Sequence, residues 1–184
     1  MQGSYNPALV ALSYIVAVAA SYTALELARR VSQSKGNTAR AWLLAGAVSM
    51  GIGIWTMHFI GMLALSLPIA FSYDVGTTVL SLIVGIGASW FAIRASSGGD
   101  TTWPTIAASG ILLGLGIAAM HYTGMLAVRM DAAIHHDYRV VVLSIAIAVV
   151  AASAALWIML SLIDNRSRHI AKLKLGAAMI MGIA

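Results

Sequence analysis

Apolar residues run through this chain in long blocks, separated by short stretches that hold almost all of its charge. A helix needs about 20 apolar residues to cross the hydrocarbon core of a bilayer, and most of the blocks reach that length. The first runs from about Ala8 to Leu27, with Asn6 placed to cap it and Pro7 at the first helical position. The second runs from about Ala41 to Leu67 and ends at Pro68. The third covers about Val75 to Ile93, the fourth Pro104 to Val128, and the fifth Val140 to Ile163. A sixth begins near Leu175 and is still running at Ala184. The predicted loops are therefore Arg29 to Arg40, Pro68 to Asp74, Arg94 to Trp103, Arg129 to Arg139 and Asp164 to Lys174. This is the pattern of an all-α, polytopic transmembrane helix bundle.

Two of the blocks are copies. Met120-His121-Tyr122-Thr123-Gly124-Met125 in the fourth matches Met57-His58-Phe59-Ile60-Gly61-Met62 in the second, 63 positions earlier. Upstream, Gly51-Ile52-Gly53-Ile54 lines up on Gly114-Leu115-Gly116-Ile117 at the same offset. The unit is thus a parallel two-helix repeat with a Met/His centre. Met181-Gly182-Ile183-Ala184 resembles Met50-Gly51-Ile52-Gly53 and reads as the start of a third copy. Its histidine would fall at position 189, so the chain is expected to stop within that copy.

Composition sharpens the class. The 184 residues are 60% hydrophobic and 9% charged, with mean hydropathy +0.90. Soluble domains carry about 25% charged residues, so a soluble core is excluded. The net charge of +5 does not point to nucleic acid, because the basic residues sit in short loops, where topology control accounts for them. Loops one, three and five hold nine Lys and Arg, whereas loops two and four hold only Arg129 and Arg139. The positive-inside rule therefore puts the odd loops in the cytoplasm and the N-terminus outside. No basic residue precedes the first apolar run, which reads as a retained span and not as a cleaved signal. The absence of cysteine excludes disulfides, thiolate metal sites and thiol redox chemistry.

Each motif sets His and Met four residues apart, on one face of a helix: His58 with Met62 and His121 with Met125. Thioether sulfur favours Cu(I), and imidazole serves either copper state. Met57 and Met120 stand about 100° away round the helix, towards a neighbouring helix. His58 is 18 residues beyond Arg40, and His121 is 18 beyond Trp103. Each then lies about 27 Å from the inner interface, near the outer face, and at matching depth. Glu26 is the only acid inside a span, close to Arg29 and Arg30 at the interface. His135-His136-Asp137 could deliver metal from an outer loop, though a solvated polar loop accounts for it better. His169 lies among basic residues and needs no role beyond charge.

The motif Met120-His121-Tyr122-Thr123, its variant Met57-His58-Phe59-Ile60, the Gly-Met that follows both and the upstream Gly-x-Gly resemble the MHYT domain of bacterial integral membrane sensors. The resemblance covers essentially the whole chain, 1–184. It implies seven helices in the complete domain, an N-terminus outside, and a place in the bacterial inner membrane. It also implies a copper centre that senses O2, CO, NO or redox state and signals to a cytoplasmic cyclic di-GMP cyclase/phosphodiesterase domain in cis. Its partners would be the lipid bilayer, a diatomic gas, that output domain and, in a homodimer, a second copy. The site residues it implies are His58, Met62, His121 and Met125, with Met57 and Met120 as further ligands and Tyr122 as a hydrogen-bond donor to a bound ligand. Phe59-Ile60 departs from Tyr-Thr, so a tyrosine hydroxyl is not needed in every copy.

Other roles fit the same residues. His and Met are haem axial ligands, which makes haem the second cofactor to consider. Buried His also hydrogen-bonds neighbouring helices and Met fills apolar gaps, so a packing role is open, although it does not demand the same His twice. A transporter is disfavoured by the parallel repeats and the lack of paired acids in the spans. No nucleophile with its base stands out, so this stretch is expected to be non-enzymatic.

Overall fold

The computed structural model describes residues 4–66, 71–96, 102–130, 137–163 and 170–182. It is a helix bundle: α1 Pro7–Gln33, α2 Gly36–Ala64, α3 Val75–Ser96, α4 Trp103–Leu126, α5 Tyr138–Ile163 and α6 Ile170–Met181. The first five are long and apolar enough to cross a membrane, and α6 is too short over its described length. Each helix packs on the next in chain order, and α6 also packs on α1, so the helices form a ring.

The helices are longer than the apolar blocks. α1 continues through Arg29 and Arg30, and α2 begins at Gly36, so most of the expected loop Arg29 to Arg40 is helical. Hydropathy marks what sits in hydrocarbon, whereas Arg, Gln and Ala propagate a helix well beyond it. The real turn is Ser34–Lys35, followed by Gly36 at φ 59°, a left-handed conformation that suits glycine. Lys172 and Lys174 are likewise inside α6. His135, His136, Arg166, Arg168 and His169 lie outside the described residues.

The helical class holds, with four very short strands among the described residues at one end. β1 (Ser4–Tyr5) pairs with β2 (Leu65–Ser66), and β3 (Phe71–Tyr73) with β4 (Val128–Met130), both antiparallel. Each pair straps the entry of an odd helix to the exit of the following even one. Asn6 N–H donates to the Ala64 carbonyl at 2.8 Å, and Asp74 N–H to the Ala127 carbonyl at 2.8 Å. The same residues cap the odd helices: Asn6 accepts from Ala8 N–H, Asp74 from Thr77 N–H at 2.9 Å, and Asp137 from Arg139 N–H. The Thr77 hydroxyl and amide, with Arg129 nearby, hold the Asp74 carboxyl below its ordinary range.

Glycines set how closely the ring closes. A Cβ at Gly51 would fall 2.6 Å from the Ile86 Cα on α3, and one at Gly114 would run into the Val149 backbone on α5. A Cβ at Gly182 would fall 2.9 Å from Val18 on α1. α2 and α4 thus lay the same glycine on the next odd helix, and Gly182, just past the end of α6, lies against α1 and closes the circle. This small-residue contact is how membrane helices gain dispersion energy without a hydrophobic driving force.

Candidate metal centre

The core fills the end of the bundle away from the strands. Leu25 of α1, Leu113 of α4, Leu156 and Met159 of α5 and Ala178 of α6 cluster there, all buried. Nearby, Glu26 accepts from Lys174 of α6 at 2.6 Å, and from Arg29 at 3.0 Å. Glu26 was legible as an interfacial acid among arginines. Its link to Lys174, which is 5% exposed, was not, because the two are 148 residues apart.

The histidines lie at the opposite, strapped end. His58 is near the C-terminus of α2 and His121 near that of α4, and these antiparallel-flanked helices meet there directly. The Nδ1 atoms of His58 and His121 stand 3.3 Å apart, with ring centroids 4.7 Å apart. One ring must donate and the other accept for this to be a hydrogen bond. The Nε2 of His58 is buried with no hydrogen-bond partner among the described residues. An orphaned buried nitrogen carries a desolvation cost of about 1–3 kcal/mol unless something binds it.

The remaining motif residues are distributed around this pair. Met62 and Met125 are half-buried, one helical turn beyond their histidines. Met120 is fully buried and packs against Gly85 of α3. Met57 lines an apolar cavity of about 150 Å³, with Ala20 of α1, Ala151 of α5 and Met181 of α6. Both follow from their 100° offset from His. The Tyr122 hydroxyl is 2.6 Å from Ser144 Oγ of α5, which in turn donates to the Val141 carbonyl. Tyr122 therefore ties α4 to α5 with its hydroxyl, while its ring lies edge-on to His121 at 5.0 Å.

An aromatic wall backs His58. Phe59 is buried, with its ring 5.3 Å from that of His58, 4.6 Å from that of Trp55 and 5.5 Å from that of Tyr73 on β3. Trp55 Nε1 donates to Ser81 Oγ on α3 at 3.0 Å. The sequence placed Phe59 only as a departure from the motif, and the strand bearing Tyr73 is too short to show a period.

The donor chemistry fits a soft d10 ion. Two imidazole nitrogens about 2.0–2.1 Å from one tetrahedral ion lie about 3.3 Å apart, the separation seen between the two Nδ1 atoms. Among the described residues no group of three His, Asp or Glu gathers, and the thioethers of Met62 and Met125 stand one helical turn from the pair.

The chain matches, in three segments (1–42, 51–109 and 114–172), the family described as "Bacterial signalling protein N terminal repeat", MHYT. It is 51% identical to the bifunctional diguanylate cyclase/cyclic di-GMP phosphodiesterase MucR of Pseudomonas aeruginosa, over 98% of this chain and 26% of that protein. It is 39% identical to the cyclic di-GMP phosphodiesterase NbdA of the same organism, over 97% of this chain and 23% of the relative. It is 33% identical to the signaling protein YkoW of Bacillus subtilis, over 98% of this chain and 22% of the relative. The chain thus spans about a quarter of the length of the curated relatives it matches. No solved structure matches it. With the three matched segments together covering most of the chain, and five helices long and apolar enough to cross a membrane, the chain belongs to the MHYT family of bacterial membrane signalling proteins.

Proposed function

We propose that this chain is the sensing region of an inner-membrane signalling protein, and that it binds copper between α2 and α4. The 3.3 Å approach of the two Nδ1 atoms carries this reading. His58 and His121 would hold the ion, with Met62 and Met125 as the thioethers within reach of the same ends of the helices. Bound copper would supply a redox couple and a coordination position for O2, CO or NO. The protein's own part is to keep water out: the Phe59–Tyr73 wall and the β3–β4 strap cover the pair from the strand end. A change at the ion would alter the spacing of α2 and α4, and the ring passes such a shift to its far end. Cyclic di-GMP turnover would be carried by the remainder of the protein, as in MucR and NbdA, and a homodimer would bring two such regions together. Haem is the second reading from residue type alone, but two Nδ1 atoms 3.3 Å apart leave no room for a porphyrin between them.

The test is to purify the protein, measure copper and the Soret region, and follow cyclic di-GMP turnover with and without O2, CO and NO. Stoichiometric copper, no Soret band and a gas-dependent turnover are expected. Metal-free protein whose turnover ignores all three gases would overturn the copper reading, and a Soret band would favour haem.

Orientation is part of the proposal. Nine of the eleven Lys and Arg fall in the predicted loops one, three and five, and loops two and four, next to the His pair, hold the other two. The strapped end and His pair would then face outside, and the Ser34 turn the cytoplasm. With single cysteines in place of Ser72 and Ser34, an impermeant thiol reagent applied to spheroplasts should label Ser72→Cys and spare Ser34→Cys. The opposite pattern inverts the topology.

A further inference from the structure

We propose that Gly124 is a positioning residue for His58: its missing side chain is the space that lets the imidazole turn its Nδ1 to His121. The inference rests on the copper reading of the same pair. A Cβ built on Gly124 would lie 2.9 Å from His58 Nε2, 3.3 Å from its Cδ2 and 3.4 Å from Phe59 Cε2. Two neighbours limit how the imidazole can retreat. His121 stands 3.3 Å from its other side, and Phe59 behind it is buried between Trp55 and Tyr73. Trp55 is itself anchored to Ser81. A methyl group at 124 therefore has to turn the ring, and turning the ring separates the two Nδ1 atoms.

The motif predicts the same for Gly61, the matching position of the first copy, but the geometry does not. A Cβ at Gly61 meets nothing within 4 Å among the described residues. The two glycines are equal in sequence and unequal in function, and this makes Gly61 the control. Both substitutions add the same methyl to a helix, where Ala is the better helix former. Neither removes a ligand.

The experiment compares wild type, Gly124→Ala and Gly61→Ala in the purified full-length protein. Copper affinity is measured by chelator competition, and the number of imidazole nitrogens from the Cu(II) electron paramagnetic resonance spectrum. Outer-shell changes that disturb a metal-bound His typically cost about 10–100-fold in affinity. Gly124→Ala should lose affinity in that range and show one imidazole fewer. Gly61→Ala should match wild type on both counts. A general loosening of the bundle would lower thermal stability yet leave the spectrum of the bound copper unchanged, so the spectrum separates positioning from packing. If Gly124→Ala does not fold, Gly124→Ala/Phe59→Leu removes the second obstacle, and it should bind copper more tightly than any folded fraction of the single variant. Unchanged affinity and spectrum in Gly124→Ala overturn the inference, as does an equal loss in Gly61→Ala. Wild-type protein without copper overturns the function reading first and this one with it.

Discussion

Glu26→Leu should lower the thermal midpoint of the detergent-solubilised protein by about 6–12 °C, and adding Lys174→Met should restore most of it. The Lys174 ammonium is 2.6 Å from the Glu26 carboxylate, and its side chain is only 6% exposed. Arg29 and Arg30 approach the other carboxylate oxygen at 3.0 and 3.5 Å. Removing Glu26 therefore leaves a buried ammonium unpaired beside two guanidinium groups. Breaking a buried pair from one side costs about 3–5 kcal/mol, whereas replacing both charges by apolar groups is near neutral. Glu26 is 28% exposed, so water screens part of the interaction and about 3 kcal/mol is the figure to use. For a domain of this size, 1 kcal/mol moves the midpoint by about 2–4 °C. The pair ties α1 to α6 beside the hydrogen bond from the Tyr14 hydroxyl to the Met179 carbonyl, so the loss should fall first on α6. Equal midpoints for the single and double variants would mean that the ion pair contributes nothing beyond the packing around it.

The spans and the two histidines were legible because a bilayer imposes a length and a repeat imposes an offset, and both are visible in one dimension. That His58 and His121 face one another follows less directly. Equal depth on alternate helices made it expected, and Gly124 of α4, which faces the His58 ring, leaves the room for it. What stayed hidden has physical causes. Arg29, Arg30 and Lys174 looked like loop residues because hydropathy reports the hydrocarbon slab and is silent on where a helix ends. The pairing of Glu26 with Lys174 joins the second-last turns of α1 to the first turns of α6, and no local pattern encodes that. The strands are two or three residues long, too short for any alternation to register. One signal for them was present: Asn6, Asp74 and Asp137 each open an apolar block, and these Asx caps mark where every repeat begins. Tyr122 stood out as part of the motif, yet its hydroxyl is committed to Ser144, a contact set by how α4 meets α5.

His121→Ala and His58→Ala should each abolish stoichiometric copper while the protein still inserts and folds. The structure makes the two variants nearly equivalent as ligand deletions, since each removes one of two nitrogens that stand 3.3 Å apart. It makes them unequal as packing changes. His58 is backed by Phe59 and by Gly124, so its removal opens a gap next to a buried ring. It also removes the orphaned Nε2, which offsets part of that cost. His121→Ala instead leaves both nitrogens of His58 without a partner and is the more destabilising of the two on this ground. Hydrogen bonds between membrane helices average about 0.6 kcal/mol, so the packing losses are modest either way. Losing one of few ligands is severe by comparison, and the change of helix propensity favours Ala. Metal content and thermal midpoint must therefore be measured on the same preparations. Copper absent from both variants, with midpoints within a few degrees of wild type, is the expected outcome. Wild-type copper in both variants would assign the histidines to packing alone. Loss in only one would mean that the other nitrogen is not a ligand, and the ion would then have to be sought on the retained side of the α2–α4 crossing.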